Sequence, residues 1–148
     1  MRSYSPLRHP LRALVLVLVW GLGACRGEVA PGDERLESAR QTIVQCEAGL
    51  QSGAGAPPRA TFRLVDLSDG LVCFDGVITR EAAEQILARN APITTLVIRS
   101  IGGEGPAGIM IGERLAEWDT HVIVWRECMS ACASYVFAAA ARQTVPEP

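Results

Sequence analysis

The chain contains no lysine, so all 14 of its basic side chains are arginines, and it has only two histidines, His9 and His121. The absence of lysine excludes that residue as a catalytic base within the chain, and the scarcity of histidine restricts the choice of any other base. The apolar run at 13–24 is too short for a transmembrane helix, which needs about 20 apolar residues.

The N-terminus has the three parts of a secretory signal: a stretch with three arginines, the apolar run, and small residues after it. The run ends in Leu-Gly-Ala-Cys at 22–25, which resembles the lipobox of bacterial lipoproteins, where a peptidase cuts before a lipid-modified cysteine. We therefore expect a signal peptide at 1–24 and lipidation of Cys25. The lipid would hold the protein on the periplasmic side of a bacterial membrane. An ordinary signal peptide and an uncleaved anchor are the alternatives.

Acidic side chains outnumber basic ones once the predicted signal peptide is removed. Residues 25–148 carry 11 arginines and 16 Asp or Glu side chains, which gives a net charge near −5. Such a balance argues against a nucleic-acid partner, because nucleic acids select basic surfaces. A chain of these 124 residues is long enough for one domain.

Four cysteines remain besides Cys25, namely Cys46, Cys73, Cys128 and Cys132. An even number in an exported protein is typical of disulfide bonds, and four cysteines allow three pairings. Free cysteines that act as small core residues are the alternative. The sequence does not choose between these arrangements.

Two kinds of segment follow the predicted signal. A spacer and a predicted helix at 33–50 form the stretch 25–58, which has the character of an appendage to the main domain. From 59 to 148, short β-branched runs alternate with helical stretches, which predicts an α/β fold with parallel strands and crossover helices on both faces of the sheet. The predicted strands are 61–65, 71–74, 93–100 and 121–125, and the predicted helices are 79–89, 106–118 and one that starts near Ser130.

Two segments at the carboxyl ends of predicted strands are candidates for chemistry, because open α/β sheets bind ligands there. The first, 100–106, contains the adjacent glycines Gly102 and Gly103, which let backbone N–H groups approach a substrate oxygen. The second, 127–134, places Ser130 at a strand-to-helix turn, where a hydroxyl can face solvent beside a helix N-terminus. A structural turn and a helix N-cap are the alternatives for the two segments.

The order of these segments resembles that of the ClpP/crotonase superfamily: a strand ending in Ser-x-Gly-Gly, an amphipathic helix, a short apolar strand, and a serine that opens a helix. The resemblance is closest to bacterial periplasmic proteins of ClpP-like fold whose nucleophile segment reads Cys-x-Ser-Ala-Cys, as 128–132 does here. The segment 74–78 is similar to the family's first strand and turn, and Arg142 follows the last helix as in the family. The resemblance covers about 70–148.

The resemblance implies a serine hydrolase or peptidase that acts on a peptide or another acyl substrate. Ser130 takes the position of the nucleophile, and the backbone N–H groups of Gly103 and Ala131, with Gly102 beside them, are the expected oxyanion hole. Neither a cofactor nor a metal ion is expected, and a homo-oligomer is one expectation for the assembly.

Two cysteines flank this serine. In an oxidising compartment Cys128 and Cys132 can form a disulfide that stiffens the turn, provided that their α-carbons lie within roughly 4.4–6.8 Å. Two small buried residues beside the turn are the alternative.

The family's catalytic base is missing from the chain. It is a histidine with an acidic partner, both located after the serine helix, and no histidine follows Ser130 here. His121 begins the strand that leads to Ser130, and about six strand residues at roughly 3.3 Å each place it near 20 Å away. Loss of the histidine from a serine protease lowers kcat by about 10⁶, so we expect negligible turnover by this chain alone.

Two interpretations stay open. In the first, the chain is a truncated version of a longer ClpP-like serine hydrolase, with 59–148 as the front part of its domain and an uncovered apolar face at 135–137. In the second, it is a non-catalytic periplasmic lipoprotein that keeps the fold as a binding or interaction module. A crotonase-type acyl-CoA enzyme fits the glycine turn but not an exported location.

Overall fold

The computed structural model describes residues 31–52, 61–68 and 70–147, and they form an α/β fold around one five-stranded sheet. The predicted signal peptide 1–24 and Cys25 lie outside the described residues. The strands are β1 (Phe62–Asp66), β2 (Leu71–Gly76), β3 (Thr95–Ser100), β4 (His121–Cys128) and β5 (Arg142–Thr144), and the helices are α1 (Pro31–Ser52), α2 (Arg80–Leu87), α3 (Gly105–Glu117) and a π-helix (Cys132–Phe137).

The strand order is β1-β2-β3-β4-β5, and the sheet is mixed. Strands β2, β3 and β4 run parallel, as the sequence predicts, and β5, which is not among the predicted strands, continues the parallel pairing. Strand β1, in contrast, pairs with β2 in the antiparallel direction. The N–H of Leu67 donates to the carbonyl of Leu71 at 3.0 Å, which closes a tight turn between the two strands. So short a connection allows only antiparallel pairing, since a parallel crossover needs a dozen or more residues. The expectation of an all-parallel sheet is therefore wrong at β1.

Both faces of the central strands are buried, which explains their continuous apolar sequences. In β3, Leu96 and Ile98 join the core beneath α2 and α3, whereas Val97 belongs to the core on the opposite face. All three residues are at most 2% exposed. Because successive side chains of a strand point to opposite faces, a strand covered on both sides needs apolar residues at consecutive positions.

Helix α1 covers the second face of the sheet and is joined to it covalently. Cys46 of α1 forms a disulfide with Cys73 of β2, with the α-carbons 5.5 Å apart and both residues completely buried. The indole N–H of Trp125 on β4 donates to the carboxylate of Glu47 at 2.9 Å. The sequence pattern suggests an appendage, but the apolar side of the helix packs directly on the sheet.

The segment after the serine turn is packed against α3. Val136 of the π-helix is completely buried in the core beneath α2 and α3. The two helices approach closely at Gly112, where a side chain would run into the carbonyl of Tyr135. The uncovered apolar face expected at 135–137 is therefore wrong for Val136, although Tyr135 remains 40% exposed.

A buried carboxylate, Asp75, links three strands on the face that α1 covers. Arg99 of β3 donates to it from Nε at 2.7 Å and from Nη2 at 2.8 Å, and Arg63 of β1 donates at 2.5 Å. The Arg99 guanidinium also lies over the ring of Trp125, 4.4 Å from its centroid. Burial alone would raise the pKa of Asp75, but the hydrogen bonds and charges of Arg99 and Arg63 outweigh it and the pKa is lowered.

Because the folded state lowers the pKa of Asp75, we expect the free energy of unfolding to decrease in acid. A carboxyl group with a lowered folded pKa contributes stability above its unfolded pKa, here near 3.8, and loses it as the pH falls through the folded pKa. We expect Asp75→Asn to lower the free energy of unfolding at pH 7 by about 2 kcal/mol and to flatten its decline below pH 4. Urea unfolding at pH 7, 5 and 3 measures both effects.

Asp66→Asn is the matched control, because the Asp66 side chain pairs with Arg89 but is 60% exposed. Exposed ion pairs contribute about 0–1 kcal/mol, so this variant should change stability little at any pH. A decline below pH 4 that is as steep in Asp75→Asn as in the wild type would contradict the assignment.

Candidate functional site

Strands β3 and β4 are parallel neighbours, so the two predicted segments meet at the same edge of the sheet. The N–H of Met129 donates to the carbonyl of Ser100 at 3.0 Å. A Cβ at Gly102 would lie 2.6 Å from the Met129 carbonyl oxygen and 2.8 Å from Cβ of Ser130. The glycine turn therefore packs directly against the serine turn.

The glycine turn needs residues without a side chain. Gly102 and Gly103 have φ angles of 96° and 148°, in the region that favours glycine. The N–H of Ile78 donates to the Gly102 carbonyl at 2.8 Å, and the N–H of Glu104 donates to the Ile78 carbonyl at 2.8 Å. Because Ile78 lies so close, a Cβ at Gly103 would overlap its carbonyl oxygen.

Ser130 is exposed and has a φ angle of 50°, in the left-handed region that non-glycine residues seldom adopt. Holding a residue there costs about 1–3 kcal/mol, and such residues cluster at functional sites. The Ser130 hydroxyl does not cap the π-helix, whose N-terminus lacks a side-chain capping hydrogen bond. The N-cap alternative therefore does not explain why a serine occupies this position.

A bulge in β4 precedes the serine. Ile98 pairs with Val124 and Ser100 pairs with Cys128, so four residues of β4 match two residues of β3. Within this stretch Arg126 also has a positive φ angle, 71°. Bulges bend a strand and redirect the side chains that follow it, which accounts for the position of the turn after β4.

The two cysteines around the serine are joined. Cys128 at the end of β4 and Cys132 at the start of the π-helix form a disulfide, with α-carbons 5.3 Å apart. The pair lies inside the distance range that a disulfide requires, which fits the disulfide that the sequence allows for these residues. The bond ties the two ends of the turn that carries Ser130.

The backbone N–H groups around the turn differ in their partners. The N–H of Gly102 donates to Ser100 Oγ at 3.0 Å, so Gly102 shapes the turn and is not an available donor. For the N–H groups of Gly103 and Ala131, no acceptor is found among the described residues. In the sequence, Ser100 is only the first residue of the predicted turn. In the structure it is 2% exposed, and its hydroxyl accepts the hydrogen bond that orients Gly102.

His121 lies at the opposite end of β4 from Ser130. Its Nε2 atom shares a hydrogen bond of 2.8 Å with Oγ1 of Thr144 on β5. Burial, together with the positive charge of Arg142, lowers the pKa of His121. The only histidine of the described residues is thus separated from the serine by the length of a strand.

The described residues contain no cluster of three or more His, Cys, Asp or Glu side chains arranged to bind a metal ion. No helix within the same ranges combines the length and the apolar character that crossing a membrane requires. The two disulfides are compatible with an exported protein. No protein-family model, no curated protein and no solved structure matches this chain.

Proposed function

We propose that this protein is an exported hydrolase of ClpP-like fold in which Ser130 holds the position of the nucleophile. One observation carries the proposal: an exposed serine in a left-handed turn does not cap its helix and follows the strand beside the glycine turn. The same arrangement of strand, bulge and strained serine turn presents a hydroxyl at the carboxyl edge of the sheet, where α/β enzymes bind their ligands.

The available N–H groups supply the second part of an acyl-transfer site. Attack by the serine hydroxyl on an acyl carbonyl places negative charge on the carbonyl oxygen, and the N–H groups of Gly103 and Ala131 are the donors for that oxygen. Each such donor contributes about 10²–10³ in kcat in serine hydrolases. The substrate class that follows is a peptide or another acyl compound.

Among the described residues, neither histidine nor lysine lies beside the serine. His121 lies at the far end of β4, and the chain has no lysine. A site with an oxyanion hole but no base has a kcat about 10⁶-fold lower than that of a complete triad. Catalysis at the rate of a complete Ser-His-acid triad therefore needs a histidine from outside the described residues.

The lack of a base also favours a second candidate function, a non-catalytic lipoprotein that keeps the fold as a binding module. Both functions share the proposed export signal and the proposed anchor at Cys25. The two disulfides support export. The mass of the N-terminal peptide from a membrane fraction tests the anchor, since a mature N-terminus other than lipid-modified Cys25 would refute it.

A fluorophosphonate probe tests the nucleophile. We expect slow labelling of the wild type at one site, loss of the label in Ser130→Ala, and wild-type labelling in Ser134→Ala. Ser134 is the matched control, because it is also exposed and lies one turn later, on the π-helix. Peptide mapping by mass spectrometry locates the adduct. A wild-type protein that takes up no label would contradict the hydrolase and favour the binding module.

A further inference from the structure

A cavity of about 560 Å³ lies at the edge of the sheet opposite the serine turn. It is formed by the first half of α1 and by the N-terminal ends of β3, β4 and β5. Here α1 faces the sheet with the small side chains Ser38, Ala39 and Thr42, which leave space that the tightly packed second half of the helix does not. The volume falls within the range of about 300–1,000 Å³ that is typical of small-molecule sites.

The charged groups of this cavity leave an excess of positive charge. Arg35 of α1 and Arg142 of β5 both line it, and neither forms an ion pair with a carboxylate among the described residues. Among the described residues of the lining, Glu34 is the single acidic one. An arginine without a carboxylate partner is suited to bind a carboxylate or phosphate through two hydrogen bonds.

The remaining polar groups of the walls are mainly hydroxyls. Thr95 of β3 and Thr144 of β5 lie on the sheet side, and Thr42 lies on the helix side with its hydroxyl donating to the Ser38 carbonyl at 2.8 Å. His121, which shares a hydrogen bond with Thr144, lies between the threonines of β3 and β5. A ligand with hydroxyl groups would find partners on both sides of the cavity.

We propose that this cavity binds a small anionic molecule that carries a carboxylate or phosphate on a hydroxyl-bearing body. The oxyanion pairs with Arg142 and Arg35, and the hydroxyls pair with Thr95 and Thr42. The volume exceeds the need of an inorganic ion alone, which is why the ligand has a body. The proposal is independent of the role of Ser130, since the two sites lie at opposite ends of β4.

His121 reports on occupancy of the site. The charged groups that line the cavity with it are Arg142 from β5 and Glu34 and Arg35 from α1. Its pKa is lowered by burial and by Arg142. An anion bound to Arg142 offsets that positive charge, so binding raises the pKa of His121.

The experiment is an NMR titration of the His121 imidazole with inorganic phosphate, citrate or a sugar phosphate, at constant ionic strength set with sodium chloride. We expect a saturable upward shift of the pKa and roughly ten- to hundredfold weaker binding in Arg142→Gln. Arg114→Gln is the control, because Arg114 lies on α3, on the other face of the sheet, and its loss should change nothing.

Other outcomes of the titration would contradict the site or the nature of its ligand. A shift that does not saturate, or that persists unchanged in Arg142→Gln, overturns the site. Inorganic phosphate that binds as tightly as the sugar phosphate overturns the hydroxyl-bearing body, whereas weaker binding of the sugar phosphate alone in Thr95→Val supports it. The tighter of citrate and sugar phosphate identifies the oxyanion as carboxylate or phosphate.

Discussion

Replacing Cys46 and Cys73 together by alanine is expected to lower the free energy of unfolding by about 3.5 kcal/mol, the chain-entropy value for a loop of this length. The disulfide joins residues 27 positions apart, and it links α1 to a central strand of the sheet. Alanine is the appropriate replacement because both positions are completely buried and a serine hydroxyl would lack a partner there. In a domain of this size the loss corresponds to a melting temperature lower by roughly 10–20 °C.

The second disulfide gives the matched control. Cys128 and Cys132 are only 4 positions apart, so the same model assigns their bond about 2 kcal/mol. Urea unfolding of the two double variants measures the difference, and hydrogen exchange in 31–52 shows whether α1 opens with the sheet. Equal losses from the two double variants would contradict the loop-length argument. An unchanged transition of the sheet with exchange confined to α1 would instead make the helix an appendage.

The sequence predicts the central strands well because burial on both faces leaves a clear signal. In β4, Val122, Ile123 and Val124 are at most 8% exposed, and only a strand covered on both sides needs such a run. The direction of β1 is not encoded in this way. It depends on the connection after Asp66, where a tight turn replaces the crossover that alternation of strands and helices suggests.

The position of α1 is a second feature that the sequence does not predict. Its apolar side indicates that one face of the helix is buried, but not which surface of the protein covers it. The even number of cysteines likewise allows three disulfide pairings and does not select one. Only the fold brings Cys46 to within 5.5 Å of Cys73, measured between α-carbons. The hydrogen bond from Trp125 to Glu47 depends on the same docking and has no local sequence signal.

In the candidate site, too, some features follow from the sequence and others depend on the folded structure. The location of Ser130 and of the paired glycines at strand ends follows from the pattern of apolar runs. The left-handed conformation of Ser130 and the bulge at Arg126 do not, because neither residue type favours a positive φ and the surrounding packing imposes it. The engaged N–H of Gly102 likewise depends on the buried hydroxyl of Ser100.

Gly102→Ala is expected to destabilise the protein strongly at the contact between the glycine turn and the serine turn. A φ angle of 96° costs an alanine about 2 kcal/mol, and its Cβ would lie 2.6 Å from the Met129 carbonyl oxygen, which costs about as much again. Relief of the contact requires the glycine turn and the Ser130 turn to separate. We therefore expect a free energy of unfolding lower by about 4 kcal/mol and loss of the fluorophosphonate label from Ser130 in the fraction that remains folded.

Gly105→Ala tests whether the effect belongs to this contact and not to loss of any glycine near the turn. Gly105 begins α3, and a Cβ there would meet only the ring of Tyr135, at an ordinary contact distance of 3.7 Å. Alanine in a helix is favoured over glycine by about 0.5–1 kcal/mol, so this variant should be as stable as the wild type or slightly more stable. Urea unfolding compares the two variants. If Gly102→Ala unfolds at the same urea concentration as Gly105→Ala, the close packing of the two turns is not what holds Ser130 in its conformation.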